Sequence, residues 1–298
     1  MMKKLLTTTI LIAFIAFPVL AENSNDEERI PPAVSDTLVG WATSWEAGLS
    51  GSQATYSNWA QGGINNLAVI GNSDFIAKFR ENRFSYGFRL NTRFGQTRIE
   101  DEGVRKIDDR LEVLNRFLYD IGDEGGDFKI FANINFRTQF AEGYNYGAGE
   151  DGEDILTSRF MAPGYLSENV GLAYIPTENF SFEAGFGMLQ TFVRDESLST
   201  RYGLDEGDTF RNEAGLTFGA SYNMRVATNV SVNTSLETFT NVNKSVKSTN
   251  VLFNSQVTGR INNYMNASFR LDLVYDDDFS KELQVAQILS VGVSFILI

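Results

Sequence analysis

Arg83, Arg89 and Arg93 stand six and four residues apart on one parity of an extended segment, which spaces their guanidinium groups by about 20 Å and about 13 Å along a strand. Arg80, Arg116, Lys129 and Arg137 fall on the matching parity of neighbouring segments and extend a basic ladder, and Arg211 and Glu213 further on also face inward as pore-lining candidates. Facing water, such a ladder attracts small anionic solutes, as rings of basic side chains do in anion pores. Facing one another, the same cations and acids such as Glu112, Glu213 and Asp272 cross-link an interior and close it. Both readings stay open at this level: a narrow passive channel or binding barrel, and a non-conducting structural barrel whose external loops bind a ligand or partner.

The chain contains no His and no Cys. Ser-His and Cys-His nucleophiles are therefore impossible, no disulfide forms, and metal sites built from nitrogen or sulfur ligands are excluded. Paired carboxylates can hydrolyse glycosides, but no two acids are placed together on one inward face by their spacing. Asp276-Asp277-Asp278 and the run Glu150 to Asp154 offer oxygen ligands for Ca²⁺, yet neither has the spacing of a 12-residue calcium loop, and a solvated acidic loop is the simpler reading. The expectation is a protein without catalysis, cofactor or metal. A net charge of −13 also argues against nucleic acid as a partner.

Strands must position these side chains. From Phe128 to Phe140 the residues Phe128, Ile130, Ala132, Ile134, Phe136 and Phe140 alternate with Lys129, Asn133, Asn135, Arg137 and Gln139, and Phe131 alone breaks the pattern. The same alternation runs through Phe84 to Phe94 and Phe210 to Arg225. An apolar face opposite long cationic and amide side chains suits a wall between lipid and water, and about 9–11 residues suffice for one tilted crossing. The fold expected is all-β, a transmembrane antiparallel up-and-down β-barrel of about 12 strands, near 41–52, 65–80, 82–96, 109–121, 127–141, 167–176, 179–192, 209–226, 228–241, 249–261, 263–275 and 281–297.

The connections support that reading, since short turns at Glu81–Arg83, Pro176–Asn179 and Asn262–Asn263 alternate with long ones such as Thr97–Asp108 and Glu142–Leu166. Ahead of the barrel, residues 1–21 read as a secretory signal and 22–40 as a flexible periplasmic lead-in, with 41–298 left for the barrel. The location expected is the outer membrane. Lipid, lipopolysaccharide, the barrel-assembly machinery and small anionic solutes are the expected partners. The final segment, with Val291, Val293 and Phe295 outward, resembles the terminal strand that this machinery recognises.

Two loops stand out. Trp59, within Asn58-Trp59-Ala60-Gln61-Gly62-Gly63, either stacks on a planar ligand or anchors at the membrane interface. Phe160 and Tyr165 either fold inward as a constriction or join an external cap. Asp276, Asp277 and Asp278 complete the loop-binding candidates.

The blocks Ser57–Gly63, Arg105–Asp109, Phe136–Phe140, Ser158–Tyr165 and Tyr275–Asp278 occur in this order over nearly the whole mature chain. In them the sequence resembles a family of uncharacterised Gram-negative outer-membrane proteins, catalogued only as a domain of unknown function. The resemblance implies a barrel-type fold and no established activity, so no catalytic residues carry over.

Overall fold

A computed structural model describes residues 34–54, 65–244, 249–276 and 280–296. The strands are β1 (Gly40–Ala54), β2 (Asn66–Glu81), β3 (Phe84–Ile99), β4 (Gly103–Asp120), β5 (Phe128–Thr138), β6 (Gly143–Asn145), β7 (Ile155–Ser158), β8 (Gly164–Thr177), β9 (Phe180–Phe192), β10 (Phe210–Ala227), β11 (Val230–Asn241), β12 (Thr249–Arg260), β13 (Met265–Asp276) and β14 (Ser280–Ile296). Among the described residues, every strand but β6 and β7 joins one closed antiparallel barrel in the order β1-β14-β13-β12-β11-β10-β9-β8-β5-β4-β3-β2. The hairpin β6–β7 stands apart in the connection between β5 and β8.

The alternation in the sequence becomes the two faces of the wall. On β5, Phe128, Ile130 and Ile134 are exposed while Lys129, Asn133 and Asn135 are buried, so the apolar parity faces out and the polar parity faces in. The same inversion of a soluble core holds on β9, where Phe186 is 68% exposed and Glu183 is 5% exposed. A continuous outward belt of this kind is stable only in lipid, and closure satisfies the backbone groups that lipid cannot. The protein is an outer-membrane β-barrel. Aromatic rings ring the short-turn end: Trp41 lies 5.0 Å from Phe79, Phe128 5.0 Å from Tyr174, and Tyr264 5.9 Å from Phe295.

The structure departs from the sequence reading in three places. The expected long loop Thr97–Asp108 is a tight hairpin, because the ladder continues through Gln96↔Lys106 to Ile99↔Gly103 past a register shift at Gly95/Gln96. Asp101 and Gly103 turn the chain with φ of 65° and 85°. Short and long connections therefore do not alternate throughout. Beyond the lipid the strands lose the pressure to alternate, so a polar run that is still paired reads as loop. The second departure is the lead-in: Ser35 donates to Glu178 Oε1 and Asp36 forms ion pairs inside the barrel mouth, so residues 34–36 are docked there. The third is that β5 stops at Thr138 rather than 141. Thr138 Oγ1 instead accepts from Met161 N and donates to Pro163 O, tying the strand end to the following loop. The signal at 1–21 and the greater part of the lead-in lie outside the described residues.

Candidate functional site

The inner wall is built from three tiers. At the short-turn end, Asp120, fully buried, accepts from Arg80 Nη2 at 2.5 Å, Lys129 Nζ at 2.7 Å and Gly125 N at 2.7 Å. Asp36 closes the set, 2.9 Å from both Arg80 Nη1 and Lys129 Nζ. Two cations and two carboxylates thus form a neutral knot that links β2, β4 and β5 to the segment before β1. Directly above it Leu118, Phe131 and Ala173 pack with Ile175 into an apolar cluster. Phe131 breaks the sequence alternation because it fills the lumen here, where its register partner Gly171 and that residue's partner Gly185 carry no side chain.

The middle tier pairs the basic ladder with acids. Arg89 Nε lies 2.6 Å from Asp74 Oδ1, Arg93 Nη2 lies 2.7 Å from Asp108 Oδ2, Arg116 of β4 bonds Glu183 of β9 over β5 and β8, and Arg270 Nε lies 3.0 Å from Asp272 Oδ2. The inward basic excess read from the sequence is therefore offset. Asp74 shares the parity of Lys78 and Arg80, and Asp120 that of Glu112 and Arg116, so the missing acids were there to be counted. Arg83 sits elsewhere than expected: it occupies the two-residue turn between β2 and β3 and is exposed, because the inward face begins at Ser85.

The outer tier is hollow. A cavity of about 120 Å³ is lined by Asn133, Asn135 and Arg137 of β5, Tyr165 of β8, Glu183 and Thr191 of β9 and Arg211 of β10. Its opposite wall is mixed, with Phe239, Leu252 and Val274 beside Glu237, Asn250, Asp276 and Gln284. The Arg137 guanidinium stacks on Tyr165, 5.0 Å from the ring centroid. Arg211 holds Glu213 Oε2 at 3.2 Å and donates to Gly203 O at 2.6 Å, while Glu213 also meets Lys244 Nζ at 3.2 Å and Asn241 Nδ2 at 2.8 Å. Two atoms of well-buried side chains, Asn133 Oδ1 and Thr191 Oγ1, have no hydrogen-bond partner within the protein.

Of the expected loop-binding residues, Tyr165 lies on this inner wall, and Asp276, the last residue of β13, lines the cavity with it. Phe160 is 46% exposed on the outside of the following loop and does not constrict the lumen. Trp59, Asp277 and Asp278 lie outside the described residues. Thr191, Tyr202, Phe239 and Leu252 were missed. Tyr202 sits in a 3₁₀ turn, where no periodicity announces it.

That turn belongs to an external cap. Residues 139–163 and 193–209 pack together around Ala162, Val193, Leu198, Tyr202 and Leu204, with Leu156 beside them. Tyr202 OH donates to Thr157 O at 2.7 Å, and its ring reaches the cavity, so the cap roofs the outer tier. Asp195 caps the first 3₁₀ turn: Oδ1 accepts from Ser197 Oγ at 2.7 Å and Ser197 N at 3.2 Å, and Oδ2 accepts from Arg159 Nη1 at 3.1 Å. Those bonds, the Ser197 hydroxyl first and Arg159 next, hold its carboxyl below the usual carboxylate range. A depressed pKa stabilises the cap above the ordinary carboxylate value, and the contribution is lost as pH falls through the folded value. Hydrogen exchange over 193–209, corrected for its intrinsic pH dependence, should rise below that range, and Asp195→Asn should show the raised exchange already at neutral pH.

The barrel is similar over 86% of its length to the translocator domain of the autotransporter NalP from Neisseria meningitidis, with 13% identity, 87% of that chain covered and a TM-score of 0.40. It is similar over 91% of its length to the COG4313 outer membrane channel from Pseudomonas putida F1, with 10% identity, 98% of that chain covered and a TM-score of 0.42. The NanC porin matches 85% of the chain at 10% identity, with 98% of that porin covered and a TM-score of 0.39. No curated protein matches the chain. Residues 52–144 match the family described as Protein of unknown function (DUF3078), so over this stretch the resemblance to an uncharacterised family is borne out.

Proposed function

We propose that the barrel is a narrow, solute-binding channel for small anionic molecules, which are held in the outer tier between Arg137 with Tyr165 and Arg211 with Tyr202. The observation that carries this reading is the cavity itself, where Arg137, stacked on Tyr165, and Arg211 stand among the carboxylates of Glu183, Glu237 and Asp276. The paired middle tier argues for a binding path and against a wide water-filled pore, since a conducting ion must pass among charges that already hold one another. The expected result in a planar bilayer under a salt gradient is small, steady openings with anion preference, and Arg137→Glu should shift that preference toward cations. Unchanged selectivity in conducting Arg137→Glu protein would sink the anion reading.

A second reading rests on the cap. It has its own apolar core and presents Phe140, Ile155 and Phe160 to solvent. A folded protein that never conducts would favour this alternative, a non-conducting barrel whose external surface binds a partner.

A further inference from the structure

The segment ahead of β1 crosses the short-turn mouth of the barrel. Gly40 opens β1 opposite Arg80 of β2, whereas Ser35 donates from Oγ to Glu178 Oε1 at 2.5 Å in the turn between β8 and β9. In the closed order of strands, β8 and β9 stand five and six steps from β1, which is the far wall. Between these ends Asp36 lies beside Gly125 of the β4–β5 turn, and Leu38 N donates to Ser35 O at 3.2 Å to close a turn. Val34, at the far end, is buried.

The middle of the crossing is a carboxylate in a cationic socket. Asp36 Oδ1 lies 2.9 Å from both Arg80 Nη1 and Lys129 Nζ, and the two cations are buried while Asp36 keeps contact with water. The socket holds together without Asp36, because Asp120 accepts from the same two side chains. With Asp36 in place the cluster is neutral. With Asp36 withdrawn it carries one net positive charge. A partly exposed ion pair contributes little, so the segment can leave without unfolding the barrel. Its connection to β1 suits a pivot: Val39 is 90% exposed, and Gly40 has a φ of 77° with open space around its α-carbon.

We propose that Asp36 is the resident occupant of an anion site at the periplasmic mouth, and that residues 34–39 are a strap which pivots at Gly40 to yield that site to a solute carboxylate and open the exit. The proposal rests on the reading of the barrel as an anion channel and adds its exit site and its gate. A solute released from Arg137 in the outer tier meets Arg80 and Lys129 at the mouth only once the strap has moved.

The test locks the strap reversibly and, separately, empties the socket. The chain has no Cys, so Ser35→Cys with Glu178→Cys supplies its sole thiols, which a reducible bis-methanethiosulfonate with an ethylene spacer joins in otherwise intact, heat-modifiable protein. In a planar bilayer in potassium chloride, cross-linking should lower the mean current per barrel by about tenfold or more, and reductant should restore it. Acetate is then titrated by calorimetry into wild-type and Asp36→Ala protein. The outer tier takes acetate in both, and the variant should show a second binding event, because the tethered carboxylate no longer competes at its high effective concentration. A cross-linked protein that conducts like the reduced one overturns the strap as a gate, and equal acetate uptake by the two proteins overturns the exit site; either result leaves the outer-tier site standing. A protein that conducts in none of these forms and binds no acetate overturns the anion reading and this proposal together.

Discussion

Asp120→Ala is expected to destabilise the barrel by on the order of 3–5 kcal/mol, the range seen when one partner of a buried charge pair is removed. Asp120 is fully buried and is the acceptor that Arg80, Lys129 and the Gly125 amide share. Without it, a buried guanidinium and a buried ammonium face each other with Asp36 as their nearest acid, and Asp36 is 36% exposed at the mouth. Removing the repulsion with the anion should restore part of the loss, so Arg80→Met combined with Asp120→Ala should be less damaging than the sum of the two single changes. Asp36→Ala should cost much less, because the remaining triad stays satisfied. Urea midpoints in vesicles measure all four proteins. A loss under about 1 kcal/mol for Asp120→Ala would mean that water reaches the knot and screens it.

The knot also shows which parts of this molecule a sequence reveals. The barrel was legible because lipid imposes period two on every crossing, and Phe128, Ile130 and Ile134 against Lys129, Asn133 and Asn135 state it plainly. All the crossings could be placed on that pattern. What escaped was whatever the lipid does not police. The β3–β4 hairpin continues beyond the membrane, where Arg98, Arg105 and Lys106 keep a ladder with no apolar face to betray it. The docking of Asp36 depends on three distant strands, and nothing within Asn23 to Asp36 distinguishes an anchored acid from a solvated one.

The cations of the candidate site were legible for the same reason as the wall, since parity alone turns Arg89, Arg93, Arg116 and Arg137 inward. Their partners were not. Arg116 meets Glu183 over the intervening β5 and β8, and Arg93 meets Asp108, which lies beyond the segment the pattern defines. Pairing across a barrel depends on which strands curve to face each other, a property of closure and shear that no local window contains. The cap shows the same limit: Tyr202 reaches the cavity because 139–163 and 193–209 share a core, a contact between two loops separated in sequence.

Phe131→Ala is the second large effect expected, and it separates packing inside the lumen from packing in lipid. The ring is 2% exposed and is held by Leu118, Ala173 and Ile175, so its removal should cost about 3–5 kcal/mol, as other buried aromatic truncations do. Phe128→Ala, three residues earlier on the opposite face and 58% exposed, removes the same number of atoms from lipid contact and leaves the lumen untouched. If the cluster over the ion knot is what narrows the path, Phe131→Ala should raise single-channel conductance while Phe128→Ala leaves it at the wild-type level. A Phe131→Ala barrel that is destabilised yet conducts no better would locate the constriction at the Arg80–Asp120–Lys129 knot itself. Asp120→Ala would then be the variant that alters the path, since it leaves Lys129 held by Asp36 alone.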